Sequence, residues 1–242
     1  MLLYLQKMDT FVSKPNADHW QKVLSNYGEV FAAKTGRMKK EKGTELQDLD
    51  EWYQTVLPTS IDDRDGKHVT HDELVKLMKW KLLRGKFRPR LQQLVTSNAP
   101  DDVISTSKKA FKALPDVSSA IKTLSLLKGV GPATASAILA AGSPEYSPFM
   151  ADESMLALQT APLTYTHNAY LDFLQEVQAI CKQLKRQDKG FHWTPKKVEL
   201  ALWTYHVGKG LTPDTIEKSF TSKTLKRVND NNEEHLPKKK TK

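Results

Sequence analysis

Apolar positions along this chain recur at three- and four-residue intervals rather than in alternation. Leu74, Leu77, Met78 and Leu82 make one such stripe, Leu124 and Leu127 a second, and Ala135, Ile138 and Leu139 a third. That spacing puts each set on one face of a helix. Runs of alternating β-branched residues are missing, so the pattern predicts an all-α fold. Start and stop signals divide the stripes. Asn16 is placed to cap a helix running to about Lys34, with Gly36 ending it. Residues 37–43 (RMKKEKG) read as a charged, mobile link. Thr44 and Gln47 read as a capping box for a helix to about Val56, closed by Pro58. Thr70 and Glu73 frame a second capping box, with Gly85 at its far end. Pro89 suits a first turn, Asp116 an N-cap, and Thr194-Pro195 and Thr212-Pro213 two further starts. No internal repeat or long low-complexity tract is present.

Between the second and third stripes the chain reads LSLLKGVGPATASAILAAG over residues 124–142. The reading is two helices joined by a tight turn, with positive φ and bare backbone at Gly129 and Gly131, and Val130 plugging the space between the helices. Pro132 costs nothing in a first turn. Amides at the second helix's start can face an anion, aided by the helix dipole. Such a corner can hold a nucleic-acid phosphate without reading sequence. It can equally be an ordinary packing corner.

Composition sharpens this picture only in part. The 242 residues are 39% hydrophobic and 27% charged, as in a globular chain with ample core. The net charge of +9 points to a polyanionic partner. Residues 218–242, however, hold eight Lys/Arg against three Asp/Glu, so the body is only mildly basic. A single cysteine, Cys181, excludes an internal disulfide and a cysteine-ligated cluster, and fits a reducing compartment. Met1–Leu5 is too short for a signal peptide, and no stretch approaches a membrane span. The seven histidines lack ligand spacing, so no metal and no cofactor is expected.

Residues 76–90 (KLMKWKLLRGKFRPR) hold seven basic residues and no acid. With the apolar stripe inward, Lys76, Lys79, Arg84, Lys86, Arg88 and Arg90 are expected to point outward as a phosphate-binding patch. A solvated helix face is the plainer alternative. Trp80 and Phe87 read as core. Most of Phe191, His192, Trp193, Trp203, Tyr205 and His206 read as core too.

After the glycine corner comes a Gly/Pro loop, GSPEYSPFMA, ending in Asp152, which follows Gly131 by 21 positions. At this point the chain resembles the helix-hairpin-helix (HhH-GPD type) DNA glycosylase superfamily over about residues 70–215. The resemblance implies an all-α glycosylase-like bundle, phosphate-binding backbone at Gly129, Val130, Gly131, Ala133 and Thr134, and Asp152 as the catalytic carboxylate. Such a carboxylate stabilises the oxocarbenium charge that develops as an N-glycosidic bond breaks. Asp152 could instead be a plain N-cap. Tyr146 and Phe149 in the loop are candidate walls for an extruded base. The chain departs from the family's pattern in three ways. Ala133 stands where bifunctional members carry lysine, which excludes Schiff-base chemistry there. Residues 153–158 (ESMLAL) lack the usual basic follow-up. The cluster-ligating cysteines are missing.

In the tail, Lys226-Arg227 and Lys238-Lys239-Lys240 flank a ten-residue spacer, which resembles a bipartite nuclear import signal. The spacer's composition predicts disorder after about residue 220. The expected organisation is a helical region of unknown role over 1–60, the glycosylase-like domain over 61–220, and a basic tail over 221–242. The expected protein is a nuclear monomer that binds double-stranded DNA through phosphates, meets an import receptor through its tail, and touches no membrane. It hydrolyses the glycosidic bond of a flipped base in excision repair. The alternative is a catalytically inactive helix-hairpin-helix DNA-binding or interaction module.

Overall fold

The computed structural model describes residues 10–158 and 163–221, and among them there are helices and turns but no strand. The residues before, between and after, including Lys226, Arg227 and Lys238–Lys240 of the import-signal expectation, lie outside the described residues, so the tail expectation is not addressed. No described helix is long and apolar enough to cross a membrane.

Four short helices open the chain: α1 (Thr10–Ser13), α2 (Ala17–Ser25), α3 (Tyr27–Thr35) and α4 (Lys40–Glu51). Asn16 caps as expected, its side chain accepting from the His19 amide at 3.0 Å. The helix it opens is broken at Asn26, where ψ is 4° and the side chain leaves to donate to Ser219 Oγ at 3.0 Å. The expected mobile link is half helical, because α4 already starts at Lys40. Thr44 and Gln47 are interior to it and form no capping box. Gln47 instead donates to Thr35 Oγ1 at 2.8 Å, tying α4 to α3. Nor does Pro58 close the helix. A π-helical turn, Trp52–Val56, leads into α5 (Leu57–Asp62), and that widened turn gives the proline ring the room that a regular α-helix denies it.

The capping box on α6 (His71–Arg84) is present in both directions: Glu73 N donates to Thr70 Oγ1 at 3.3 Å, and Thr70 N to Glu73 Oε2 at 2.9 Å. Then follow α7 (Pro89–Thr96), α8 (Pro100–Ala113), α9 (Val117–Leu124) and α10 (Pro132–Gly142). The set closes with α11 (Asp152–Ala157), α12 (His167–Gln187), α13 (Pro195–Leu211) and α14 (Pro213–Lys218).

Two helices carry the interior. Every residue of α10 from Ala133 to Gly142 is buried, and α13 buries Val198, Leu202, Trp203 and Tyr205 along with Glu199. Small residues let the neighbours close in: a Cβ at Gly142 would meet the Phe111 ring at 2.7 Å and Ile61 at 2.8 Å. The segment before residue 61 is part of this same core. Trp20, Leu46 and Leu57 are fully buried in it, and Tyr53 Oη donates to the Ala137 carbonyl at 2.9 Å. Its start is held from the far end of the chain. Gln187 accepts from Ala17 N and donates to the Pro15 carbonyl, both at 2.8 Å, and Thr215 Oγ1 donates to Glu29 at 2.6 Å.

Candidate active site

The corner between α9 and α10 has the expected phase. Leu124, Leu127, Ala135, Ile138 and Leu139 are buried, and Val130 sits between them at 4% exposure. Asp116 caps α9, accepting from Ser119 N at 3.0 Å. Only one glycine takes the left-handed conformation: Gly129 has φ 75°, whereas Gly131 is extended at φ −102°, ψ −176°. Asn98, unremarkable in the sequence, clamps the turn. It accepts from Lys128 N at 2.8 Å and donates to Lys128 O at 3.0 Å and Val95 O at 2.9 Å.

The following loop is pinned to α10, because Met150 N donates to the buried Ser136 hydroxyl at 2.9 Å. This delivers Asp152 as the first residue of α11. Its carboxylate does not cap that helix. Both oxygens accept instead from the Tyr165 hydroxyl at 2.8 Å, and Lys86 Nζ lies 3.2 Å from Oδ2. Glu153 turns the other way, to Lys34 at 3.1 Å. Burial, and then the hydrogen bond to Asp152, raise the Tyr165 pKa. The hydrogen bond and negative charge of Asp152 raise that of Lys86. Burial, and then the nearby charge of Arg88, lower that of Lys81. Arg88 stacks over the Tyr165 ring at 4.9 Å.

These groups open on one cavity of about 190 Å³. Gly129, Gly131, Pro132, Ala133 and Thr134 form one wall, and Phe149 to Glu153 another. Lys81, Arg84, Lys86 and Arg88 supply the cations, and Tyr165 closes the side. In the first turn of α10, Pro132 has no N–H and Thr134 N donates to the Gly131 carbonyl at 3.0 Å, which leaves the Ala133 amide for an outside acceptor. Among the described residues no cluster of His, Cys, Asp and Glu could hold a metal ion.

Several expected site residues lie elsewhere. Arg84 does not point outward; it is 3% exposed, because it falls on the same helical stripe as Leu77 and Trp80. Phe87, expected in the core, is 72% exposed in the turn before α7. Lys79 pairs with Glu45, and neither it nor the exposed Arg90 lines the cavity. Tyr146 is also exposed and away from the cavity, whereas Phe149 lines it with its ring 5.3 Å from Trp80. Tyr165 and Asn98 are not legible in the sequence as site residues. Neither belongs to a motif, and each acts on a residue 13 or 30 positions away. No known protein family, curated protein or solved structure matches the chain.

Proposed function

We propose that this cavity is the active site of a monofunctional DNA glycosylase of the helix-hairpin-helix type. The observation that carries the reading is the convergence on one cavity of the Asp152 carboxylate, the start of α10 and three cations at its rim, Lys81, Lys86 and Arg88. A strand whose phosphate rests at the start of α10, on the Ala133 amide, would present an extruded nucleotide to Asp152. The carboxylate then stabilises the sugar's developing positive charge and orients the attacking water. Tyr165 holds the carboxylate in place by donating to both oxygens. Lys86, which is 63% exposed, is free to leave Asp152 for a phosphate as DNA arrives. Ala133 supplies no amine at the hairpin start, so on this reading water attacks the sugar and the product is an intact abasic strand.

A second reading, a DNA grip without catalysis, is favoured by the same contacts, since Tyr165 and Lys86 already occupy the carboxylate. Single-turnover base release separates the two. Duplexes carrying uracil, hypoxanthine, alkylated or oxidised bases are incubated with the protein and with Asp152→Asn. Release by the native chain, reduced about 100-fold or more in the variant while duplex binding persists, is the expected result. Salt-dependent binding with no release across the panel would leave only the grip.

A further inference from the structure

Arg84 is a buried charge with no ion pair or hydrogen bond at contact distance, and the carboxylates of Glu199, Glu153 and Asp50 act on it only through space. It is 97% buried by its 3% exposure, yet it makes no hydrogen bond or ion pair with any described residue, and its Nε is sealed without an acceptor. Aromatic faces surround it instead. The guanidinium carbon lies 4.5 Å from the Trp203 ring centre, 5.4 Å from Trp80 and 5.5 Å from Phe149. Ring faces stabilise a cation without using its N–H groups. The side chain therefore keeps its donor fork unspent, and its remaining exposure opens on the cavity that Asp152 lines.

Of the guanidinium nitrogens only Nε is sealed without a partner; the two terminal ones are not sealed, make no protein hydrogen bond, and can donate to a ligand that brings acceptors into the cavity. A planar fork matches two neighbouring acceptors, as on the O6/N7 edge of a purine. The space of about 190 Å³ equals roughly six waters at about 30 Å³ each, which suits one heterocycle. Phe149 gives that heterocycle an apolar wall.

Resting on the glycosylase reading, we propose that Arg84 determines base specificity. It selects an uncharged base that offers two adjacent acceptors, of the hypoxanthine or guanine kind, and rejects bases made cationic by alkylation. A cationic base would meet Arg84, Lys81, Lys86 and Arg88, four cations that outnumber the Asp152 and Glu153 carboxylates sharing the cavity, whereas a keto purine completes the fork.

The test is a tryptophan-emission titration of the full chain, because two of the rings against Arg84 are indoles. The probes are inosine, the cationic nucleoside 1-methyladenosine, and sodium sulfate. Inosine is expected to change the emission saturably, with 1-methyladenosine at least about tenfold weaker and sulfate without effect. Arg84→Lys keeps a charge among the rings but loses the fork, and should weaken inosine about tenfold with the thermal melt retained. Arg84→Met should abolish the preference. If it does not fold, the lysine variant decides. Equal binding of both nucleosides, an unchanged Arg84→Lys, saturation by sulfate, or no saturable response to any probe each overturns the assignment. Selective inosine binding in a protein that releases no base from DNA would uphold Arg84 and sink the glycosylase reading. Base release indifferent to Arg84 would do the reverse.

Discussion

The two corners of the α9–α10 turn carry the same residue for different reasons. At Gly129 the protein itself demands glycine. The backbone is left-handed, and a Cβ would meet Leu94 at 2.9 Å and the Leu91 carbonyl at 3.1 Å. At Gly131 nothing does. The backbone is extended, and no atom lies within 4 Å of where a Cβ would sit. One glycine answers to folding. The other leaves bare backbone on the wall of the cavity, where only a ligand would notice a side chain. A motif read as a unit thus separates into a structural half and a half open to binding.

The sharpest way to break this distinction is Gly129→Ala. Strain at positive φ and overpacking against α7 together should cost about 4 kcal/mol, lowering Tm by roughly 8–16 °C. A melt within a degree or two of the native chain would show that the corner is not packed as described.

Glu199 extends the inner half of the comparison to the floor beneath the site. Burial pushes its carboxyl up to about 7 from 4.5, against the pull of the Arg84 charge and a 2.6 Å hydrogen bond with Ser154. The folded pKa is the higher one, so the unfolded chain loses its proton first. Stability from this group is intact below 4.5 and falls as pH rises to about 7. The loss should reach about 3 kcal/mol. Glu199→Gln should flatten that slope in denaturant titrations across the window. Lys196, lowered to about 8 by burial, titrates above it; His206, lowered from 6.5 by burial, titrates inside it with the opposite sign but equally in both chains, so the difference between them reports Glu199. A variant with the native slope would mean Glu199 ionises freely in the fold.

The smallest stability effect is expected at Gly131→Ala: none, or a gain of up to about 1 kcal/mol from the stiffer unfolded chain. Its signature lies elsewhere, in duplex affinity reduced about two- to tenfold with a shallower salt dependence. Equal DNA binding by Gly131→Ala would remove this corner from the interface.

Local rules were legible wherever the chain obeyed them locally. Asn16, Thr70 with Glu73, Asp116 and Thr194 all cap as their side chains predict, since a cap needs partners only two or three residues away. The rest turned on distant partners. Gln47 found Thr35 in place of its own helix start, and the π-helical turn let Pro58 continue what it should have ended. Arg84 departs from the outward expectation because helical phase outranks residue type. Its position, seven residues after Leu77, already put it on the buried stripe. Of the rings that make burial tolerable, Trp80 lies one turn back on the same helix, but Trp203 and Phe149 come from distant stretches that no local pattern announces.

The ties that hold the start of the chain also set an order in time. Ala17 waits for Gln187, 170 residues on, and Glu29 for Thr215. At roughly 5–20 residues per second on a ribosome, the first helices spend about 10–40 s without the partners that finish them. The amphipathic α2, with Trp20 and Val23 on its apolar face, emerges early and docks only once α12 and α13 are made. During synthesis this exposed face is what chaperones would meet.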